Sequence, residues 1–303
     1  MSKHTVSLFW LLLSFTLPLF TSCNDNDEDS NDLSTEVNDN CNIATADNAY
    51  VTRIEFPHLK GGHNKVITHT NKDFGVNYSI EWDCEKKSQR WTCYILTKDN
   101  KKKNTSRYFG DPQYPRDPNL TADEYWDEDY FYGSGLDHGH ICPSNDRLYN
   151  DEVNYQTFYL TNMQPQYPAF NGSQSTHKYK GLWINMENFV YNIKLGTGDT
   201  LYVCKGGTID KESQILMRIK QRLIVPKYFF AALLLKKSDG NYRSLGLWFE
   251  HSKDYYGDDP LADYTCTIDE LEQYTSIDFF CNLPDGIEKS VEKVCYPIDW
   301  GLQ

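Results

Sequence analysis

Apolar and polar residues alternate along Val66 to Thr70, Gly75 to Trp82 and Trp91 to Thr97, with Tyr, Trp, Val and Ile prominent. A period of two sends successive side chains to opposite faces, so each stretch is expected to be a strand. Thr157 to Met163 (TFYLTNM), Asp199 to Cys204, Tyr228 to Leu235 and Leu245 to Glu250 read as further strands. Helical spacing appears in the later part of Asn171 to Ile193, where Leu182, Met186, Phe189 and Ile193 fall on one face. A short helix is expected over Ile268 to Tyr274, with Thr267 as its N-cap, and another start at Thr121-Ala122-Asp123-Glu124. Pro112, Pro115 and Pro118 make the stretch from Arg107 to Leu120 an irregular loop. Many strands with few helices predict the α+β class.

The first residues follow a different pattern. Lys3 and His4 precede an apolar run, Val6 to Phe20, that ends at Thr21-Ser22-Cys23. A basic start, a short apolar run and small residues before a cut site describe an export signal over 1–22. Ser22-Cys23 resembles the lipobox of bacterial lipoproteins, although Phe20 stands where that motif usually has Leu. The expectation is an exported outer-membrane lipoprotein, anchored through lipidated Cys23 and open to display on the cell surface. Residues 23–48 are rich in Asn, Asp and Ser and are expected to form an acidic, disordered tether. Residues 49–303 then make the folded domain.

Charge narrows the function. The chain carries −13 overall, but eight of its acids lie in the tether, and the rest is left at about −6. That argues against a broad polyanion-binding surface while leaving room for a local basic groove. Cysteine usage fits export. Eight cysteines remain besides Cys23, enough for up to four disulfides, with Cys84 and Cys93 as a candidate hairpin staple. No CxxC pair supports a zinc site.

Chemistry concentrates in Gly133 to Arg147, GSGLDHGHICPSNDR. Two histidines, two flanking aspartates and three glycines in so polar a stretch suit proton transfer or metal binding more than a core. His140 enters a strand, Asn162 ends the next expected strand, Asn171 starts the expected helix, and Glu187 lies further along it. Strand with His, strand with Asn, helix with Asn is the order a ββα-metal finger needs.

The resemblance widens from there. Val76 to Thr97, Arg107 with Asp111-Pro112, Asp129-Tyr130, Gly133-Ser134-Gly135, Asp137-His138-Gly139-His140, Pro143 and Asp146 follow in order. After them come Phe158 to Gln166, Phe170-Asn171, Trp183 with Glu187, Val225-Pro226-Lys227 and Thr275 with Ile277-Asp278-Phe279-Phe280. From about Phe56 to Glu292 the chain resembles the DNA/RNA non-specific endonuclease family, of Serratia-nuclease and endonuclease G type. The resemblance implies a ββα-metal (His-Me finger) nuclease fold, with a central antiparallel sheet flanked by helices. It also implies metal-dependent hydrolysis of phosphodiester bonds in both DNA and RNA.

By that resemblance His140 is the general base for water and Asn171 is the direct protein ligand of a single Mg²⁺, with Mn²⁺ as a substitute. Glu187 holds metal-bound water, Asn162 positions the His loop or such a water, and Arg107 pairs with phosphate. His138 stands where the family has Arg in its DRGH motif, which predicts lower activity or a preference for mildly acidic pH. The insertion around Ser173 to Lys180 brings His177, Lys178 and Lys180 within reach of a phosphate. Other readings stay open: a catalytically weak binding module on the same fold, a phosphodiesterase for small nucleotides, a zinc site built on His138 and His140, and a homodimer.

Overall fold

The computed structural model describes residues 37–172 and 180–303. The export signal, Cys23, the first part of the tether, His177 and Lys178 lie outside the described residues.

A seven-stranded antiparallel sheet organises the chain. Its members are β1 (Asn64–Asn71), β2 (Gly75–Asp83), β3 (Ser88–Thr97), β6 (Thr200–Gly207), β9 (Tyr228–Lys236), β10 (Tyr242–Glu250) and β11 (Thr265–Cys266), side by side in that order. Two separate hairpins lie outside the sheet, β4 (Asp137–His140) with β5 (Met163–Gln166), and β7 (Ile215–Ile219) with β8 (Leu223–Pro226). The helices are α1 (Asp151–Gln156), α2 (Pro168–Asn171), α3 (Leu182–Asn192), α4 (Ile268–Thr275) and α5 (Asp285–Glu292).

Both faces of the sheet are covered, which is why its middle strands read as nearly continuous apolar runs. Along β9, Phe229, Ala231, Leu233 and Leu235 face one core, and Phe230, Ala232 and Leu234 face a second. The first core takes in Trp183, Met186 and Val190 of α3 and Ile141 and Met163 from the small hairpin. The second takes in Ile268 and Leu271 of α4 and Val291 of α5. The N-cap expected at Thr267 forms, as a full capping box with Glu270.

Several local expectations are corrected. The run from Thr157 to Met163 is not one strand. Thr157 caps α1, Leu160–Asn162 is a 3₁₀ turn, and the strand begins at Met163. Buried Asn154, just upstream, continues α1 through its hydrogen bonds to Ser144, and local strand propensity gives way. Asn171 does not start the long helix: it ends the one-turn α2, which Gly172 closes at φ +79°. A side chain at Gly172 would come within 2.5 Å of the Ile184 side chain, so this turn needs a glycine. Thr121 to Glu124 forms turns and no helix.

The staple and the tether are corrected too. Cys84 packs beneath the first face of the sheet and Cys93 beneath the second, so β3 itself separates them. All eight cysteines from Cys41 to Cys295 are free thiols. Residues from 37 to 48, expected in a loose tether, instead bond to the folded part. Asn38 donates to the carbonyls of Cys281 and Leu283, and Asn42 to those of Val51 and Pro57. Amide side chains supply the anchoring that apolar burial does not.

Candidate active site

The β4–β5 hairpin carries the histidines. Register pairs Asp137 with Gln166, His138 with Pro165, Gly139 with Gln164 and His140 with Met163. Gly139 separates the two histidines for a steric reason, since a Cβ there would meet the Gln166 side chain at 2.3 Å. Asn162 locks the base of the hairpin. It is fully buried, accepts from Cys142 N at 2.8 Å, and donates to Cys142 O at 2.9 Å and Thr157 O at 2.8 Å. Its amide group is spent on backbone, so of its two expected tasks the geometry matches positioning of the His loop. The α3 helix is tied to the same strand by Trp183 Nε1, which donates to His140 O at 3.0 Å.

His140 stands edge-on to Phe158, with 4.9 Å between ring centroids. Its Nε2 is buried without a hydrogen-bond partner. Burial, followed by the charges of Arg107 and His138, holds the imidazole pKa well below its ordinary value. A backbone hydrogen bond to His138 opposes this, and with Nε2 unpartnered it falls to Nδ1. The ring is therefore neutral near pH 7, with a lone pair able to take a proton.

Glu187 projects from α3 toward β6. Burial pushes its carboxyl up to about 7, against the pull of Lys205. Lys205 Nζ lies 3.4 Å from Glu187 Oε1 and has no exposed surface. It sits 5.0 Å from the Trp183 ring centre and 5.7 Å from that of Tyr94. Asp146, fully enclosed and bonded to Tyr94 Oη at 3.0 Å, adds a second negative charge to this group. Arg107 lies over the opposite side of the site, its guanidinium 4.7 Å from the Phe158 ring centre. Its charge acts on both His140 and Glu187, which brings three of the expected residues into one electrostatic group.

Asn171 reaches β4 from the end of α2, with Nδ2 donating to Asp137 Oδ2 at 2.9 Å. That bond fixes the amide orientation and leaves Oδ1 as the amide atom able to accept a bond or meet a cation. Amide and carboxylate oxygens fit Mg²⁺, a hard cation that keeps much of its water.

His138, whose charge is felt at His140, has partners of its own. Its ring is stacked between Tyr114 at 3.8 Å and Phe131 at 4.3 Å, and its Nε2 meets Asp129 Oδ2 at 2.8 Å. Among the described residues, no group of three metal-ligating side chains includes either histidine of β4, so the zinc reading has no third ligand here.

A family profile described as DNA/RNA non-specific endonuclease matches residues 61–286. The chain belongs to that family. It is 30% identical over 172 residues to Nuclease of the cyanobacterium Nostoc sp., covering 54% of this chain and 57% of that protein. It is 25% identical over 230 residues to Nuclease C1 of Cunninghamella echinulata, covering 71% of this chain and 85% of the relative. Among solved structures, one of an EndoG/EndoGI complex superposes with a TM-score of 0.57 at 18% identity, over 73% of this chain and 88% of that one. The fold is the ββα-metal fold, in the α+β class, built on the seven-stranded antiparallel sheet.

In this member of the non-specific endonuclease family, sequence reasoning missed Lys205 and Tyr114 as parts of the site, and it placed Asp129 and Asp137 in the motif without naming their partners His138 and Asn171. Lys205 did leave a signal. Leu201 and Val203 of β6 face the first core, and period two puts Lys205 on the same inward face. A lysine at such a position needs a buried partner.

Proposed function

We propose that the chain is a metal-dependent endonuclease that hydrolyses phosphodiester bonds in both DNA and RNA. The observation that carries this reading is the neutral His140 imidazole, its Nε2 buried without a partner and the charge of Arg107 acting on both it and Glu187. In this reading His140 Nε2 takes a proton from the attacking water. Arg107 holds the phosphate oxygens, and Asn162 keeps the His140 strand in place through Cys142. Asn171 Oδ1 would hold Mg²⁺, and Glu187 would accept hydrogen bonds from water around it. When bound, the ion supplies positive charge for the negative charge that develops on phosphate. All of these groups address phosphate and water, not base edges, which favours action without sequence preference.

Purified full-length chain is incubated with plasmid, with RNA and with a small aryl phosphodiester, in Mg²⁺ or chelator, beside His140→Ala. Cleavage of plasmid and RNA that requires both the metal and His140 supports the proposal. Cleavage of the small ester alone, or binding without cleavage, refutes it. Export and lipid anchoring at Cys23 are proposed from the sequence alone. Incorporation of labelled fatty acid that is lost in Cys23→Ala is the corresponding test.

A further inference from the structure

The second core carries a carboxylate cluster on the sheet face opposite the histidine hairpin. Asp269 and Glu272 stand three apart on α4, and Glu288 and Glu292 stand four apart on α5, so each pair shares a helix face. One carboxylate oxygen from each of Asp269, Glu272 and Glu292 falls within 4.8 Å of the other two. Like charges this close oppose folding unless something neutral or positive joins them.

No basic side chain does so. Among the described residues no Lys, Arg or His forms an ion pair with Asp269, Glu272 or Glu292, and Lys289 pairs with Asp285 instead. Glu292 is only 6% exposed, and its Oε1 is buried with no hydrogen-bond partner. Glu272 accepts one bond, from Phe279 N at 2.7 Å. The neighbouring Asp278 and Glu288 are bridged by Asn40 Nδ2 at 3.1 and 3.0 Å, which ties the N-terminal segment to the cluster.

We propose that Asp269, Glu272 and Glu292 bind a divalent cation, Ca²⁺, separate from the hydrolytic site. Ligand type favours Ca²⁺, which takes about six to eight oxygen ligands with several carboxylates among them, whereas Mg²⁺ keeps several waters and is usually held by one or two carboxylates. The ion replaces mutual repulsion with a bridge between α4 and α5, and water completes the coordination. It is a stabilising ion and takes no part in hydrolysis.

The test is thermal unfolding of metal-stripped full-length chain titrated with CaCl₂, in the wild type and in Asn171→Ala, which removes the proposed Mg²⁺ ligand. Saturating Ca²⁺ is expected to raise Tm by about 5 °C in both. The rise is expected to vanish in Glu292→Gln and in Asp269→Asn. Asp269 is only partly buried and tolerates change better, so it serves if Glu292→Gln fails to fold. A Tm insensitive to Ca²⁺ in wild type overturns the proposal, as does a rise that survives in a folded cluster variant or is lost in Asn171→Ala. If Glu292→Gln stabilises the chain while wild type ignores Ca²⁺, the cluster is a proton-sharing carboxyl network, and the proposal also falls.

Discussion

Lys205 Nζ lies 3.4 Å from Glu187 Oε1, and the two meet between the central sheet and the helix that backs the histidine hairpin. Burial raises the Glu187 carboxyl to about 7, and Lys205 is the strongest influence holding it down. Replacing Lys205 by Met leaves burial opposed only by the weaker pull of Arg107, so the carboxyl climbs further. Any step that needs ionised Glu187 then requires higher pH. The acid limb of kcat/KM for plasmid cleavage is expected to move to higher pH in Lys205→Met. Stability should fall by about 3–5 kcal/mol at pH 9, where Glu187 is forced to ionise beside no partner, and by much less at pH 6. An unmoved acid limb in a folded variant would show that Glu187 does not set it.

Asn162 makes three hydrogen bonds to backbone groups that have no access to solvent. Asn162→Ala strands those groups and is expected to cost about 2–4 kcal/mol in denaturant unfolding. Asn162→Asp keeps the acceptor for Cys142 N but turns a carboxylate oxygen toward two carbonyls, so it should be worse than Ala at neutral pH. If Asp were as stable as wild type, the amide would not be clamping the hairpin as described.

Much of this arrangement was legible in residue order, and the exceptions have physical causes. Alternation and apolar runs located six of the sheet's seven strands to within a few residues, and the two-residue β11 gave no such signal. The pattern failed at Thr157 to Met163, where buried Asn154 and the Asn162 clamp favour a turn over a strand. It failed at Asn171, where an isolated helical turn closed by Gly172 looks in sequence like the opening of the longer helix. His140 was legible as a candidate base because it sits in a motif, whereas Lys205 sits in none, and its place beside Glu187 appears only when β6 lies under α3. The Cys84–Cys93 pairing failed because sequence proximity does not reveal which face of a strand a thiol occupies.

The neutral state of His140 has a consequence for pH. Burial and neighbouring positive charge lower its pKa well below the ordinary value. A base works only when unprotonated, so it stays competent as pH falls below 6.5, where an exposed imidazole would be protonated. Titration of the His140 ring by NMR in metal-free protein is expected to show a midpoint well below that of an exposed histidine. A midpoint at or above 6.5 would contradict the burial argument.

By its resemblance to a DRGH motif His138 stands in for an arginine, yet its ring is sandwiched by Tyr114 and Phe131 and bonded to Asp129. A guanidinium is planar, stacks on aromatic faces and pairs bidentately with a carboxylate, so the same slot accepts Arg. Unlike His, Arg remains charged at any working pH. His138→Arg is expected to raise plasmid cleavage several-fold at pH 8 and to flatten its pH dependence. Identical rates and profiles in the two proteins would mean that the side chain at 138 serves packing alone.

His251 links the turn that leads to Asn171 with the rest of the body. Its Nδ1 donates to Pro226 O at 2.8 Å, and its Nε2 accepts from Tyr167 N at 2.8 Å. That acceptor role exists only in the neutral ring, and burial lowers the pKa to about 4. The unfolded chain binds this proton near pH 6.5, so between 6.5 and 4 it carries more protons than the native state. The contribution is thus complete above pH 6.5 and is lost as pH falls toward 4, a change of about 3 kcal/mol for a shift of this size. Denaturant unfolding at several pH values should show the decline in wild type and a shallower one in His251→Ala, which starts less stable at pH 7. Equal slopes in the two proteins across that window would assign the acid sensitivity to other groups.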